Sequence, residues 1–233
     1  MSSPRTPKPK EDAQAVFQVL KAGGIAILPM NVGYGIVAID PDALKRIVNV
    51  KQRQSQKRNG MIGSYSLHQE IHVLPPQQAG IVKLLTVDLS IPLGVIAPYR
   101  PDHPIIRKLP PDVLAQSVVE DTLAMLISGN TLVEELSRLA AIEELPLLGS
   151  SANLTGKGAK GVVEDIEPEV FKAADIVVDY GRQKFQFPRA SSTMVDFRTM
   201  RIVRYGACCD VVRDVLRRFC NINVPDDPTT LVP

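Results

Sequence analysis

The chain has 233 residues, of which 45% are hydrophobic and 22% are charged, a composition typical of a globular protein with a substantial core. Its 27 lysines and arginines against 25 acids give a net charge of +2, and the first ten residues hold three of those cations and no acid. The remainder of the chain is close to electrical balance, so nucleic-acid binding would need a local basic patch.

The sequence argues against a membrane or secreted protein. The longest uncharged stretch, residues 22–39, is interrupted by glycines and a proline, which favours a strand, a turn and a strand over a spanning helix. The N terminus lacks the apolar segment of a secretory signal, and the three cysteines give neither a disulfide framework nor a metal spacing. These features predict a reduced, cytoplasmic protein with no membrane contact.

Helical periodicity begins early in the chain. Residues 1–10 are rich in Pro, Ser and Lys and are predicted to be a disordered leader. A helix follows from Glu11, where apolar residues recur at three- and four-residue spacing until a glycine pair ends it. A second helix begins after the Asp-Pro pair at 40–41 and is expected to end near Arg53.

Short apolar runs predict the strands. Further helices are expected around residues 79–85, from Thr131, which forms a capping box with Glu134, and over residues 211–219. The predicted strands are residues 25–28, 36–39, 61–65, 93–97, 123–127, 147–148, 176–178, 193–197 and 201–203.

The alternation of these elements, without repeats or a linker, predicts an α/β fold. We expect a single domain over residues 11–224, built as a twisted open mixed sheet with flanking helices, and a loose tail over residues 225–233.

Two glycine- or cation-rich segments are candidate ligand sites. Gly33 and Gly35 flank Tyr34 between two strands and would let the backbone approach a ligand, although a tight turn with a packed tyrosine gives the same pattern. Lys51 and Arg53 are two cations at a helix end, followed by two more, and can converge on a polyphosphate. A solvated charge run is the alternative.

Two further segments carry small polar side chains after strands. Residues 149–156, which include Ser151 and Asn153, can form an anion- or nucleotide-binding turn, or simply a turn that caps the next segment. Ser192 precedes a strand and Arg204 lies near the end of the next one, where both could hold a phosphate or ribose.

The histidines give no metal motif. His68 and His72 bracket Glu70 in a spacing that differs from the zinc-protease motif, and the sequence shows no third ligand. We therefore predict no metal-binding residue.

The order of these motifs resembles the Sua5/YciO/YrdC family. A glycine-Tyr-glycine turn is followed by K-x-R, S-A-N-L-T-G, S-T-x-V-D and I-V-R-Y-G-A, over about residues 11–207. The K-x-R and S-x-N pair is specific to the family and falls on Lys51, Arg53, Ser151 and Asn153.

The resemblance implies a deep, positively lined central cavity and a threonylcarbamoyl-AMP synthase reaction. In the family, threonine and bicarbonate give an N-carboxylate that attacks the α-phosphate of ATP. The products are threonylcarbamoyl-AMP, which is used to build a modified adenosine in tRNA, and pyrophosphate. Positioning and charge neutralisation supply most of such catalysis. ATP as substrate, Mg²⁺, bicarbonate and an amino acid or another acceptor are the expected ligands.

The resemblance also assigns roles to individual residues. Lys51 and Arg53 would be the catalytic cations that offset phosphate charge. The remaining assignments are Ser151, Asn153, Ser192 and Arg204 on the nucleotide, and Asn31, Tyr34 and Ser151 on the second substrate.

The sequence departs from the family on the threonine side. Family synthases read P-T-D-T-x-Y-G-L in the first turn, whereas this chain has Met30, Asn31 and Val32 in place of the T-D-T. Because sites built on hydroxyl contacts discriminate sharply, the loss of both threonines should weaken L-threonine recognition. The family's V-R-x-P strand also appears without its arginine.

These departures leave two alternatives to the synthase. One is a diverged biosynthetic enzyme that reuses the cavity for another small molecule. The other is a non-catalytic RNA- or nucleotide-binding module, whose RNA binding should depend on salt and on Lys51 and Arg53. Five tyrosines, six phenylalanines and no tryptophan offer RNA little stacking surface.

Overall fold

The computed structural model describes residues 6–52, 60–187 and 190–225. The helices in these residues are α1 Pro9–Lys21, α2 Pro41–Val50, α3 Tyr65–Ile71, α4 Pro76–Lys83, α5 Pro104–Arg107, α6 Pro111–Ser117, α7 Thr131–Ile142, α8 Pro168–Lys172 and α9 Cys209–Cys220. A π-helical turn, Leu84–Asp88, continues α4, and a 3₁₀ turn spans Val163–Asp165. The strands are β1 Ala26–Pro29, β2 Tyr34–Ala38, β3 Gly60–Gly63, β4 Leu93–Pro98, β5 Val118–Val119, β6 Thr122–Ile127, β7 Leu148–Ser151, β8 Ile176–Val177, β9 Thr193–Asp196 and β10 Arg201–Arg204.

The strands form one open mixed sheet, which confirms the predicted α/β fold. Its order is β10-β9-β4-β6-β3-β7-β2-β1-β8, with β5 paired to β6 outside this path. The pairs β4·β9, β3·β6 and β1·β8 are parallel and the remaining pairs are antiparallel. Several neighbours are far apart in sequence, so long connections bring residues near 94, 124, 150 and 194 together.

Alternation along the strands gives the sheet two distinct faces. Leu93, Val95 and Ala97 of β4 point to the first face, where apolar residues of α2–α6, α8 and α9 cover them. On this face the core is continuous. The second face carries the intervening residues, and α1 and α7 pack on it beside each other. Leu20 and Leu136 of these helices are fully buried there.

The element boundaries differ from the predictions at identifiable points. Helix α1 begins at Pro9, inside the range predicted as leader, because Pro is well suited to the first helical turn. The strand predicted over 61–65 ends at Gly63, since Ser64 accepts a hydrogen bond from Leu67 N and caps α3. Helix α2 ends at Val50, whereas its predicted end, Arg53, lies outside the described residues.

The predicted capping box at Thr131 is wrong. Asn130 is the N-cap of α7, and its Oδ1 accepts from Leu132 N at 2.9 Å and Val133 N at 3.4 Å. Asn130 also donates through Nδ2 to Pro29 O at 3.1 Å, a long-range bond that no local pattern contains. The cap therefore fixes the start of α7 against the end of β1.

Two histidines form a buried pair beneath the first face. The Nδ1 atoms of His68 and His72 lie 2.7 Å apart, and His72 Nε2 lies 3.2 Å from Leu123 O. With both rings neutral, His72 donates through Nε2 to the carbonyl and accepts through Nδ1 from His68 Nδ1. Burial lowers the pKa of both, and the neighbouring His68 lowers that of His72 further.

We expect this pair to make folding sensitive to acid. Below about pH 6.5 the unfolded chain protonates these histidines while the folded chain keeps them neutral. Stability is therefore complete above that pH and falls as the pH drops, by about 1.4 kcal/mol per pH unit for each histidine. Urea unfolding at about pH 7, 6 and 5 measures the slope. The double variant His68→Gln/His72→Gln should flatten it. An unchanged slope in the double variant would contradict this account.

In the part of the chain that the structure describes, no helix is long and apolar enough to cross a membrane.

Candidate functional site

A cavity of about 320 Å³ opens on the second face of the sheet, beside the part that α1 and α7 cover. Residues from β2, β3, β4, β6, β7, β9 and β10 line it, so it runs across most of the sheet. Most of its lining is apolar, and Arg204 is the one charged residue among the described residues that line it. The positive lining that the family resemblance implies is thus reduced, in the described residues, to a single cation.

One row of side chains crosses the cavity floor from strand to strand. Arg204 pairs with Met194, Met194 with Gly94, Gly94 with Leu126, and Leu126 with Ile62. Directly paired residues share a face, and neighbouring strands lie about 4.8 Å apart, so the row is about 19 Å long. We call these five residues the Arg204 row. It begins with a cation and continues as an apolar strip.

Arg204 is held in place without neutralisation of its charge. Its Nε donates to Ser192 O at 2.9 Å and its Nη2 donates to Ser192 Oγ at 3.0 Å. Ser192 is fully buried, and burial lowers the pKa of the Arg204 guanidinium to about 10. Among the described residues no carboxylate pairs with it. A desolvated cation without a carboxylate partner favours an anionic ligand.

Neighbouring atoms pack closely over three glycines of the cavity lining. A Cβ on Gly94 would overlap Met194 Cγ, and one on Gly35 would lie 2.9 Å from Met30 Cγ. A Cβ on Gly149 would lie 2.6 Å from Ile36 O. At the first two positions a flexible methionine therefore occupies the space that a side chain on the floor would have filled.

Lys51 joins the end of α2 to the loop after β7. Its ammonium donates to Ser151 O and Asn153 O, and its side chain is 2% exposed. Its own carbonyl accepts from Thr155 N at 3.2 Å. Lys51 is therefore fixed against the backbone of the S-x-N loop, and it is not among the residues that line the cavity.

A second network holds the same loop from the other side. Glu167 Oε2 accepts from Leu154 N at 3.0 Å, and Glu167 Oε1 pairs with Lys160 Nζ at 2.7 Å. The carbonyl of Lys160 accepts from Tyr34 N at 2.8 Å. Burial raises the pKa of the Glu167 carboxyl, but the Lys160 ion pair and the hydrogen bonds from backbone N–H groups lower it by more, so the net effect is a lowered pKa. The S-x-N loop and the glycine-Tyr-glycine turn are thus one connected unit.

Tyr34 lines the cavity, and its hydroxyl is held in a hydrogen-bond network. Its Oη lies 2.8 Å from Asp179 Oδ1 and 2.8 Å from Gly181 O, and accepts from Tyr180 N at 3.2 Å. Burial, and then Asp179, raise the pKa of this hydroxyl. The group is a fixed hydrogen-bonding link that stays protonated at neutral pH.

Asn31 ties its turn to the loop after β6. It adopts φ +61°, its backbone N donates to Gln183 Oε1 at 3.0 Å, and its Nδ2 donates to Ser128 O at 3.0 Å and Gly129 O at 3.3 Å. These bonds occupy the amide donor, and Asn31 is not among the cavity-lining residues.

The structure brings together part of the sequence-predicted site. Four of the predicted residues line the cavity, namely Ser151, Ser192, Arg204 and Tyr34. Lys51, Asn153 and Asn31 lie behind it and support its loops, and Arg53 lies outside the described residues. The predicted roles of these residues toward nucleotide and substrate remain predictions.

Sequence reasoning missed the apolar part of the site. Gly94 and Met194 lie in strands that were predicted correctly. Because successive residues of a strand point to opposite faces of the sheet, these two lie on the face opposite to the buried core residues beside them. The parallel pairing of β4 with β9, which places the two residues together, has no local signal.

The donor set does not form a metal site. No group of three or more His, Cys, Asp or Glu side chains among the described residues could hold a metal ion.

Comparison with known proteins now identifies the family. The sequence pattern of the Sua5/YciO/YrdC family, described as telomere recombination, matches residues 18–206. The chain belongs to the Sua5/YciO/YrdC family. A Methanocaldococcus jannaschii relative named "Putative threonylcarbamoyl-AMP synthase" is 26% identical over 200 residues, which cover 83% of this chain and 86% of the relative.

Solved structures of the family share the fold. P. abyssi Sua5, crystallised with L-threonine, superposes with a TM-score of 0.71 at 18% identity and covers 95% of this chain. This chain spans 61% of the length of that protein. E. coli YciO superposes with a TM-score of 0.63 at 21% identity, covering 87% of this chain and 92% of YciO.

We expect the Lys51→Met substitution to lower the free energy of unfolding, in addition to any effect on activity. The substitution removes a charged donor from two backbone carbonyls in a buried position, which should cost about 3 kcal/mol. Lys45→Met, on the exposed side of the same helix, should leave stability nearly unchanged. Urea unfolding of both variants checks this. Equal stability of the two variants would show that Lys51 is not a structural link.

Proposed function

We propose that this protein is a threonylcarbamoyl-AMP synthase-like nucleotidyltransferase, acting on ATP, bicarbonate and an amino acid. The observation that carries the proposal is the desolvated Arg204–Ser192 pair at the head of a cavity lined also by Ser151, in a chain of this family. The named synthase relative at 26% identity adds support for this reaction class.

The proposed reaction has two steps. The amino group of the amino acid attacks bicarbonate, and the N-carboxylate forms with loss of one water. A carboxylate oxygen then attacks the α-phosphorus of ATP, the bond from that phosphorus to the bridging oxygen breaks, and pyrophosphate leaves. Both steps bring anions together, so they need fixed cations and exclusion of water more than they need an acid or base.

The protein's own groups suit that task. The Arg204 guanidinium, fixed by Ser192, would hold a phosphate or carboxylate oxygen by charge-assisted hydrogen bonds. Ser151 offers a hydroxyl at the cavity wall, on a loop that Lys51 and Glu167 hold in place. Mg²⁺ would contribute by shielding the charge of the triphosphate.

Arg53 keeps its proposed role as a phosphate cation by family resemblance alone. Asn153 could bind the nucleotide or the acyl-phosphate region, since its Oδ1 is buried without a hydrogen-bond partner among the described residues. The product, a carbamoyl-adenylate, is a reactive mixed anhydride, and we propose its use in the modification of adenosine in tRNA.

Arg204→Ala tests the proposal. We expect the KM for ATP in a pyrophosphate-release assay to rise by about tenfold to a hundredfold, because one charge-assisted contact is lost. Arg201→Ala, an exposed arginine on the same strand, is the matched control and should behave as the wild type.

The wild-type protein should release pyrophosphate only when ATP, bicarbonate and an amino acid are all present. Pyrophosphate release that is independent of bicarbonate, or no pyrophosphate release at all, contradicts the proposed reaction.

A further inference from the structure

We propose that Met194, lying on Gly94 beside Arg204, determines the size of the base in the nucleotide that the cavity accepts. The identity of the ligand as a nucleotide rests on the proposed function. The placement of Met194 rests on the sheet register and on the space above Gly94.

The register fixes which groups a ligand on Arg204 must meet. Arg204 and Met194 are direct partners across β10 and β9, and Met194 and Gly94 are direct partners across β9 and β4. The next residue in the row is Leu126. An anion held by the guanidinium is therefore one strand away from Met194, and the body of its ligand extends over Gly94 and Leu126.

The flexible side chain of Met194 occupies the space directly above Gly94. Gly94 lies within a regular strand, so its backbone does not require glycine. What excludes a Cβ there is the Cγ of Met194, with the Met194 Cβ 3.3 Å away. Met194 is itself partly exposed to the cavity. Gly94 and Met194 thus form a matched pair, in which the glycine provides the space and the methionine fills it.

A methionine at this place favours a flat ring. Its thioether is polarisable, its side chain is unbranched and adaptable, and sulfur contacts with aromatic rings are favourable. Leu126 and Ile96 extend the same apolar surface on the floor of the cavity. A purine covers more of this strip than a pyrimidine does, so the pair should favour purine nucleotides.

The test measures binding directly, by calorimetric titration of AMP and CMP, without turnover. In the wild type AMP should bind at least tenfold more tightly than CMP. Gly94→Ala pushes Met194 into the cavity and should weaken AMP at least tenfold. Adding Met194→Ala to that variant should recover AMP affinity to within about threefold of the single Met194→Ala variant, since the conflict is then removed. Gly80→Ala, where a Cβ meets open space, is the matched control and should match the wild type.

The single variant Met194→Ala provides an independent test if Gly94→Ala does not fold. It should lower the preference for AMP over CMP at least fivefold while leaving the binding of inorganic phosphate unchanged. An unchanged AMP to CMP ratio in this variant, or a Gly94→Ala effect that Met194→Ala does not relieve, overturns the proposal. A Met194-dependent preference without pyrophosphate release would overturn the proposed reaction and leave the role of Met194 standing.

Discussion

The unequal covering of the two sheet faces is the constraint on which the site depends. In the part of the chain that the structure describes, seven helices bury the first face, whereas α1 and α7 pack together over one part of the second. Beside them the strands carry glycines, and the space above Gly35 and Gly94 is taken by the flexible side chains of Met30 and Met194. The cavity therefore follows from where the helices leave the second face uncovered, and Arg204 and Ser192 place its polar groups at one end of an apolar floor.

The charged groups around the cavity divide into two functions. Lys51 and Glu167 are fully engaged with backbone and ion-pair partners, and they hold the S-x-N loop against the glycine-Tyr-glycine turn. Arg204 is also positioned, by Ser192, but its hydrogen bonds leave its charge uncompensated within the described residues. A cation that hydrogen bonds hold in place and that has no counterion among the described residues is suited to bind an anion.

The sequence was sufficient for the fold class and for most strands because their apolar runs are short, buried and bounded by turn residues. Ser151, Ser192 and Arg204 were predicted as candidate site residues because small polar residues and a cation near strand ends suit anion binding; the structure places all three at the cavity, and their roles toward a ligand stay predictions. Short helices such as α3, capped by Ser64, escaped prediction because seven residues show little periodicity. The meeting of Gly94 with Met194 escaped it because strand order is set by long-range packing, which alternation within a strand does not encode.

The central claim, that nucleotide binds over the apolar strip of the second face, can be observed through the methionine methyl groups. With ¹³C-methyl labels, ATP should shift the resonances of Met194 and Met30, which face the cavity, while Met200, outside it, should stay in place. Assignment by substitution of each methionine with leucine identifies the signals. Shifts at Met194 that saturate with ATP support the account. Unmoved Met194 and Met30 resonances at saturating ATP contradict it.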